Sequence, residues 1–424
     1  MRHQRPAAFV VASALAISLA TPALAYESTI DTTYATAGTA TLANAFYSAM
    51  APLGTGIVVV ANRFSKRAGP EQVVRALDGN GQPVPAFGGE GTVTLTLPGE
   101  PLAQVVTTTP SGKVVLAGQG AHGIVVARLT AAGALDRSFS ANGYTRIGAS
   151  MDGPTALALD SQGRIVLLGL HDQSTRRHLR FDTLVFRINP RGGLDTGFGA
   201  GGVKTFDLAP DEFSDALTVD AKDRPVFTGG RIEKSDKTYV VRLTAAKGHL
   251  DDSFGTAGIT RVGFGATTSS FGSAIGVSNG SITVGNVVLA ATTTSDPLAA
   301  FRLTPTGQLD PTFGTAGKAL YPAPPKTSLF GRYVDAQGAV IAVGQRRTGQ
   351  QTYVPVIGAL TPAGQVDAGI DPTGIADVPV GGSSASVDDT VVVSGQIVVS
   401  ISDNVTSPQS SGSVFVTRLG TPGP

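Results

Sequence analysis

The chain has 424 residues, with 32 Lys and Arg against 31 Asp and Glu, and neither Cys nor Trp. So even a balance excludes the strongly basic face that a nucleic-acid partner requires, and zero Cys excludes disulfide staples and a lipid-bearing cysteine. With 54 Gly and 26 Pro the chain is rich in turns, yet 42% of it is apolar, enough for a large core held by packing alone.

Residues 1–25 read as a secretory signal: Met1-Arg2-His3-Gln4-Arg5 is basic, Ala7 to Ala20 is apolar, and Ala23-Leu24-Ala25 suits cleavage after Ala25. No other stretch reaches the ~20 apolar residues a bilayer requires. Cleavage would remove Arg2 and Arg5 and no acid, leaving 30 basic and 31 acidic residues. The mature chain is expected to be exported, periplasmic or extracellular, without membrane insertion.

From residue 26 onward one phrase recurs: an Arg-Leu-Thr strand end, then Gly-x-Leu-Asp, then Phe-Gly-x-x-Gly. Clear copies run from Arg128 to Asp136 and Phe139, Arg187 to Asp195 and Phe198, Arg242 to Asp251 and Phe254, and Arg302 to Asp310 and Phe313. Worn copies are Val84 with Phe87-Gly88, and Asp367 with Ile370-Asp371. The first copy, Ile30-Asp31 with Tyr34 and Gly38, lacks a preceding strand, while Val414 to Gly420 supplies a strand without a following phrase. Head and tail complete one another, as a closed ring requires and an open solenoid with capping repeats does not.

The Asp positions are spaced by 53, 52, 59, 56, 59 and 57 residues. That length suits four strands plus loops, so the expected fold is all-β, a seven-bladed β-propeller of four-stranded antiparallel blades. The approximate repeats are 26–78, 79–130, 131–189, 190–244, 245–304, 305–361 and 362–424, one domain in all. In the second, β-runs are read at Thr92–Leu97, Ala103–Thr108, Lys113–Ala117 and Ile124–Leu129, with a tight turn at Pro110-Ser111-Gly112. On this phasing the phrase lies on the crossing from the outer edge of one blade to the inner edge of the next.

The phrase resembles the delta-60 repeat family of propellers from exported bacterial proteins, over nearly all of residues 26–424. The resemblance implies fold and export; it brings no catalytic residues. Each residue type has a physical job: glycines permit the turns, Phe plugs the gap between blades, and Asp bonds backbone N–H groups or the upstream Arg. Repetition assigns Asp31, Asp136, Asp195, Asp251, Asp310 and Asp367 to fastening rather than chemistry.

Candidate sites follow from position. Three residues past the last Gly of each phrase stand Thr41, Thr94, Arg146, Thr205, Arg261, Leu320 and Asp377, and a ring at this depth makes Arg146, Arg261 and Asp377 candidate ligand-binding residues, against the plainer reading of charges paired locally at strand ends. One residue further on, Leu42, Leu95, Ile147, Phe206, Val262, Tyr321 and Val378 are apolar and expected between blades. Asp207, Asp211, Glu212 and Asp215 offer oxygen ligands of the kind Ca²⁺ takes, but their spacing matches no calcium loop and a solvated loop is the preferred reading. His171, Asp172, Arg176, Arg177, His178 and Arg180 form a basic hairpin, read as solvated surface or a docking patch.

No His-Glu-x-x-His, nucleophile elbow or phosphate loop occurs, and the absence of Trp weakens glycan-stacking and quinone readings, so no cofactor is expected. The leading expectation is a monomeric, non-catalytic propeller that binds a protein or cell-surface component; the alternative is a hydrolase or lyase at the mouth of the central channel. An outer-membrane barrel is disfavoured by 6% aromatics and a Gly423-Pro424 end.

Overall fold

The computed structural model describes residues 30–65, 69–174, 180–208, 213–231, 237–265, 268–290, 295–350, 352–378, 385–403 and 413–420. The signal-like residues 1–25 lie outside the described residues, as do Asp211, Glu212, Arg176, Arg177 and His178. Among the described residues no helix is long and apolar enough to cross a membrane.

Strand β1 (Thr39–Ala43) precedes a first complete sheet of β2 (Phe46–Leu53), β3 (Gly56–Ser65), β4 (Gly69–Leu77) and β5 (Thr92–Leu95). The second sheet is β6 (Leu102–Thr108), β7 (Val114–Gly120), β8 (Gly123–Leu129) and β9 (Tyr144–Ile147). The third is β10 (Asp152–Leu159), β11 (Ile165–Asp172), β12 (Phe181–Ile188) and β13 (Val203–Phe206). Next come β14 (Phe213–Val219), β15 (Pro225–Gly230), β16 (Thr238–Arg242) and β17 (Ile259–Val262), then β18 (Thr268–Ser278), β19 (Ser281–Ala290), β20 (Leu298–Leu303) and β21 (Lys318–Tyr321). A further sheet holds β22 (Thr327–Val334), β23 (Val340–Arg347), β24 (Tyr353–Leu360) and β25 (Ile375–Asp377). In the last, β26 (Ala385–Val393), β27 (Gln396–Asp403) and β28 (Ser413–Leu419) are joined by β1, which pairs with β28 through Thr39↔Thr417 to Ala43↔Ser413.

The fold is therefore an all-β propeller with four-stranded antiparallel blades. Seven separate blades were expected; among the described residues the hydrogen bonding gives five separate four-stranded sheets and one eight-stranded sheet, β14 to β21. The two halves of the large sheet meet at one pair, Gly230↔Phe271. The physical reason is the missing side chain: a Cβ on Gly230 would stand 2.7 Å from the Phe271 Cβ, so glycine lets these backbones approach closely enough to bond.

Each set of four strands is a simple meander, and its first strand packs on the first strand of its neighbours. The circuit runs β2, β6, β10, β14, β18, β22, β26 and back to β2, which makes these strands the inner rim. The last strand of each set, such as β5, β9 or β25, is then the outer edge. Strand interiors are continuous apolar runs because both faces of every sheet are covered; Ile165-Val166-Leu167-Leu168 is buried throughout.

The repeated phrase falls between the third and fourth strands of one sheet, as in β8 to β9, rather than on the crossing between blades. The expected phasing was one strand early, because the short strand after the phrase pairs back onto the sheet it leaves: β9 bonds β8 through Ile124↔Ile147 to Ala127↔Tyr144.

Candidate functional site at the inner rim

The phrase builds a fastener between neighbouring blades. Arg128 donates from Nε to Asp136 at 2.8 Å and from Nη1 to the Pro190 carbonyl of the next blade at 2.8 Å, while its guanidinium lies over the Phe139 ring. Arg242 repeats this with Asp251, the Pro305 carbonyl and Phe254, and Arg302 with Asp310, the Pro362 carbonyl and Phe313. Arg187 bonds Asp195 and the Ala245 and Ala246 carbonyls above Phe198. At the seam Arg418 pairs with Asp31, bonds the Gly79 carbonyl and covers Tyr34. Asp367 has Ala359 where the others have Arg, and its carboxylate accepts from the Gly369 N–H.

These contacts set the electrostatics. For Asp31, Asp136 and Asp251 burial is the largest single influence and raises the pKa, but hydrogen bonds from Thr33, Lys113 with Ser138, and Ser253, joined by the arginines, together outweigh it and hold each low. In Asp310 the Thr312 hydroxyl is the leading influence and the pKa is again lowered.

A different set of residues lies along the inner rim. Every inner-rim strand carries a β-bulge at the same level, between Phe46/Ser48, Ala103/Val105, Pro154/Ala156, Ser214/Ala216, Gly272/Ala274, Gly331/Tyr333 and Val387/Asp389. The extra residues are Tyr47, Gln104, Thr155, Asp215, Ser273, Arg332 and Asp388, polar side chains set into otherwise apolar strands. A bulge re-aims its side chain out of the sheet's alternation, and on an innermost strand the free direction is the channel.

Charge coupling supports that geometry. Asp215 on β14 is pushed up to about 7 by burial, against which the positive charge of Arg332 on β22 pulls. Those strands are second neighbours in the ring, with β18 between them, so the attraction links non-adjacent blades. Arg332 also acts on Asp388 and Asp389 of β26, which burial pushes up to about 6 and about 7. Asp388 accepts from the Ser48 N–H and hydroxyl, both at 3.0 Å, and from the Ser402 hydroxyl; Asp389 accepts from the Met50 N–H at 2.7 Å. The charge of one guanidinium thus acts on three buried carboxyls, two of which also tie β26 to β2.

The residues singled out from sequence lie elsewhere. Arg146, Arg261 and Asp377 are exposed on the outer-edge strands β9, β17 and β25, and Asp377 pairs locally with Arg346; they do not converge, because the strand after the phrase is a perimeter strand. Their neighbours Leu42, Leu95, Ile147, Phe206, Val262 and Val378 are buried. Asp207 is exposed at the end of β13 beside Arg180, whereas Asp215 is buried on the inner rim, and among the described residues no group of three or more acids and histidines could hold a metal. His171 and Asp172 end β11, where the His171 ring bonds Asp152. The inner-rim set has a sequence signal of its own: a polar residue recurs in the second β-run of each period, as in Ser214-Asp215-Ala216-Leu217 and Gly331-Arg332-Tyr333-Val334.

Residues 109–139 match a family model described as a domain of unknown function (DUF5122) beta-propeller. No curated protein matches the chain. Among solved structures, virginiamycin B lyase from Staphylococcus aureus is similar at TM-score 0.48 and 12% identity, over 89% of this chain and 98% of that one. A gluconolactonase from Xanthomonas campestris is similar at TM-score 0.39 and 11% identity, over 95% and 99%. An aldose sugar dehydrogenase from Streptomyces coelicolor is similar at TM-score 0.39 and 13% identity, over 76% and 96%.

Proposed function

We propose that the mature protein is an exported, monomeric propeller of seven blades, of the delta-60 repeat type, which binds a protein or surface component in the periplasm or outside the cell without catalysis. The eight-stranded sheet counts here as two blades, since β14 and β18 each supply one strand to the inner circuit. One observation carries the binding reading: the two faces of the ring differ. The face holding the phrases is built of like parts bonded to one another. The opposite face carries second-to-third-strand connections that differ from blade to blade, such as the tight Ala121-His122 turn and the pairing of Gln173 N–H with the Arg180 carbonyl, and it exposes Phe64 and Met151, at 44% and 53%. Exposed apolar groups on irregular connections fit a docking surface.

Immobilised mature protein exposed to envelope fractions tests this. Combining Phe64→Ser with Met151→Ser is expected to lower the captured material severalfold without changing the melting temperature; equal capture by variant and wild type would refute the assignment. A hydrolase or lyase at the channel mouth has one observation in its favour, a carboxyl near neutrality, Asp215, coupled to the guanidinium of Arg332. That pairing suits general acid–base chemistry beside a developing anion. An activity found in wild type and lost in Asp215→Asn, with capture unchanged, would favour it.

A further inference from the structure

The sequence holds three Asn-Gly steps, Asn80-Gly81, Asn142-Gly143 and Asn279-Gly280. A glycine amide after Asn is the backbone nitrogen best able to attack the side-chain carboxamide, because no Cβ obstructs the approach. The attack further requires a nitrogen whose proton is not held by an acceptor, and a turn that can move to close the ring. By that standard two of the steps are blocked. Gly81 donates to the Asp78 carbonyl at 3.0 Å and Gly143 to the Phe139 carbonyl at 2.8 Å. Both glycines are also buried, Gly81 where a Cβ would stand 2.7 Å from the Tyr34 ring and Gly143 where one would stand 2.7 Å from the Leu135 Cβ.

Asn279-Gly280 is built differently. The pair forms the whole turn between β18 and β19, closed by the Ser278↔Ser281 pairing, with φ of 50° at Asn279 and 81° at Gly280, the left-handed geometry of a tight hairpin. Both residues are exposed, and among the described residues no backbone carbonyl takes the Gly280 N–H. The nearest atoms to a Cβ on Gly280 belong to the Pro305 ring, at 3.3 Å, so the turn meets one side chain rather than a packed core. In this turn the carboxamide, the attacking nitrogen and water share one open surface.

We propose that Asn279 is a site of spontaneous deamidation, a chemical modification that the native fold permits there and suppresses at Asn80 and Asn142. The Gly280 nitrogen loses its proton to solvent base, and its electron pair forms a bond to the carbonyl carbon of the Asn279 side chain. The bond from that carbon to the amide nitrogen breaks, and ammonia leaves with a proton returned by solvent. Water then opens the cyclic imide at either carbonyl, yielding aspartate or isoaspartate. Either product adds a negative charge on the phrase-bearing face, beside Pro305, whose carbonyl anchors Arg242. Isoaspartate also adds one carbon to the main chain of a turn that has no slack.

Peptide mapping by mass spectrometry tests the proposal, after incubation of the mature protein in mildly alkaline buffer and digestion with pepsin in acid, where the imide does not form. In the native protein, conversion at Asn279 is expected to run about tenfold or more ahead of conversion at Asn80 and Asn142, since those turns must first open. In concentrated urea the three steps should convert at similar rates, because each is the same dipeptide once the fold is gone. Native conversion as fast at Asn80 or Asn142 as at Asn279, or a native Asn279 that stays intact while the urea-treated one converts, would overturn it.

Discussion

Arg418 and Asp31 stand 387 positions apart, yet they form the ion pair that elsewhere joins Arg242 to Asp251, nine positions on. The phrase is divided between the two ends of the chain and reassembled by folding, with the Asp31 N–H donating to the Arg418 carbonyl at 3.0 Å. Asp31→Ala should therefore cost more than Asp310→Ala. The seam pair is the more deeply buried, and leaving Arg418 unpaired should lower the unfolding free energy by about 3 kcal/mol or more. Urea denaturation of the two variants side by side measures the difference.

Stability should pass through a maximum in mildly acid solution. Asp31, Asp136, Asp251 and Asp310 are held below the ordinary 3.8, so their contribution is present above that value and lost as pH falls through their folded values. Asp215, Asp388 and Asp389 are raised to about 7, 6 and 7, so theirs is present below 3.8 and lost as pH rises toward neutrality. The melting temperature should peak near pH 4–5 and fall on both sides. Asp215→Asn should flatten the upper limb only.

Arg332→Ala removes the one positive charge known to act on all three axial carboxyls. The expected loss is about 3–5 kcal/mol at pH 8, where the carboxyls must stay ionised, and clearly less at pH 5, where they take up protons. Chemical denaturation at the two pH values checks the sign and the ratio.

Gly230→Val places a branched side chain where a single Cβ already meets Phe271 and the Ser270 carbonyl at 2.7 Å. The strand β15 must then part from β18, at a cost of about 1–3 kcal/mol. Faster amide exchange at the Gly230 and Phe271 pairing, with the rest of each sheet protected, is the expected signature.

The repeat made the fold legible in the sequence, because an Arg and an Asp that recur eight or nine residues apart with a Phe three further on can only be shared architecture. Its phasing was not legible. Nothing in Tyr144-Thr145-Arg146-Ile147 says whether that short strand begins a new sheet or finishes the old one, and because it finishes the old one, Arg146, Arg261 and Asp377 stand at the perimeter. The axial residues were hidden for a different reason. A bulge inserts one residue into a two-residue alternation, so Asp215 and Arg332 look like ordinary interruptions of an apolar strand until the partner strand shows that they are extra. In sequence Asp215 groups with Asp207, a proximity that burial on the inner rim undoes.

Because β1 completes the sheet made by β26, β27 and β28, the segment that leaves the ribosome earliest among the strands must stay unmatched until the very last has been synthesised. The intervening loop is nearly the whole polypeptide, and bringing its ends together is an entropic toll that only a largely assembled ring can offset. Seam formation is therefore the final event of maturation. Until then one bare, bond-hungry ribbon has to be kept from neighbouring copies, since an identical ribbon from another molecule would fit the same gap.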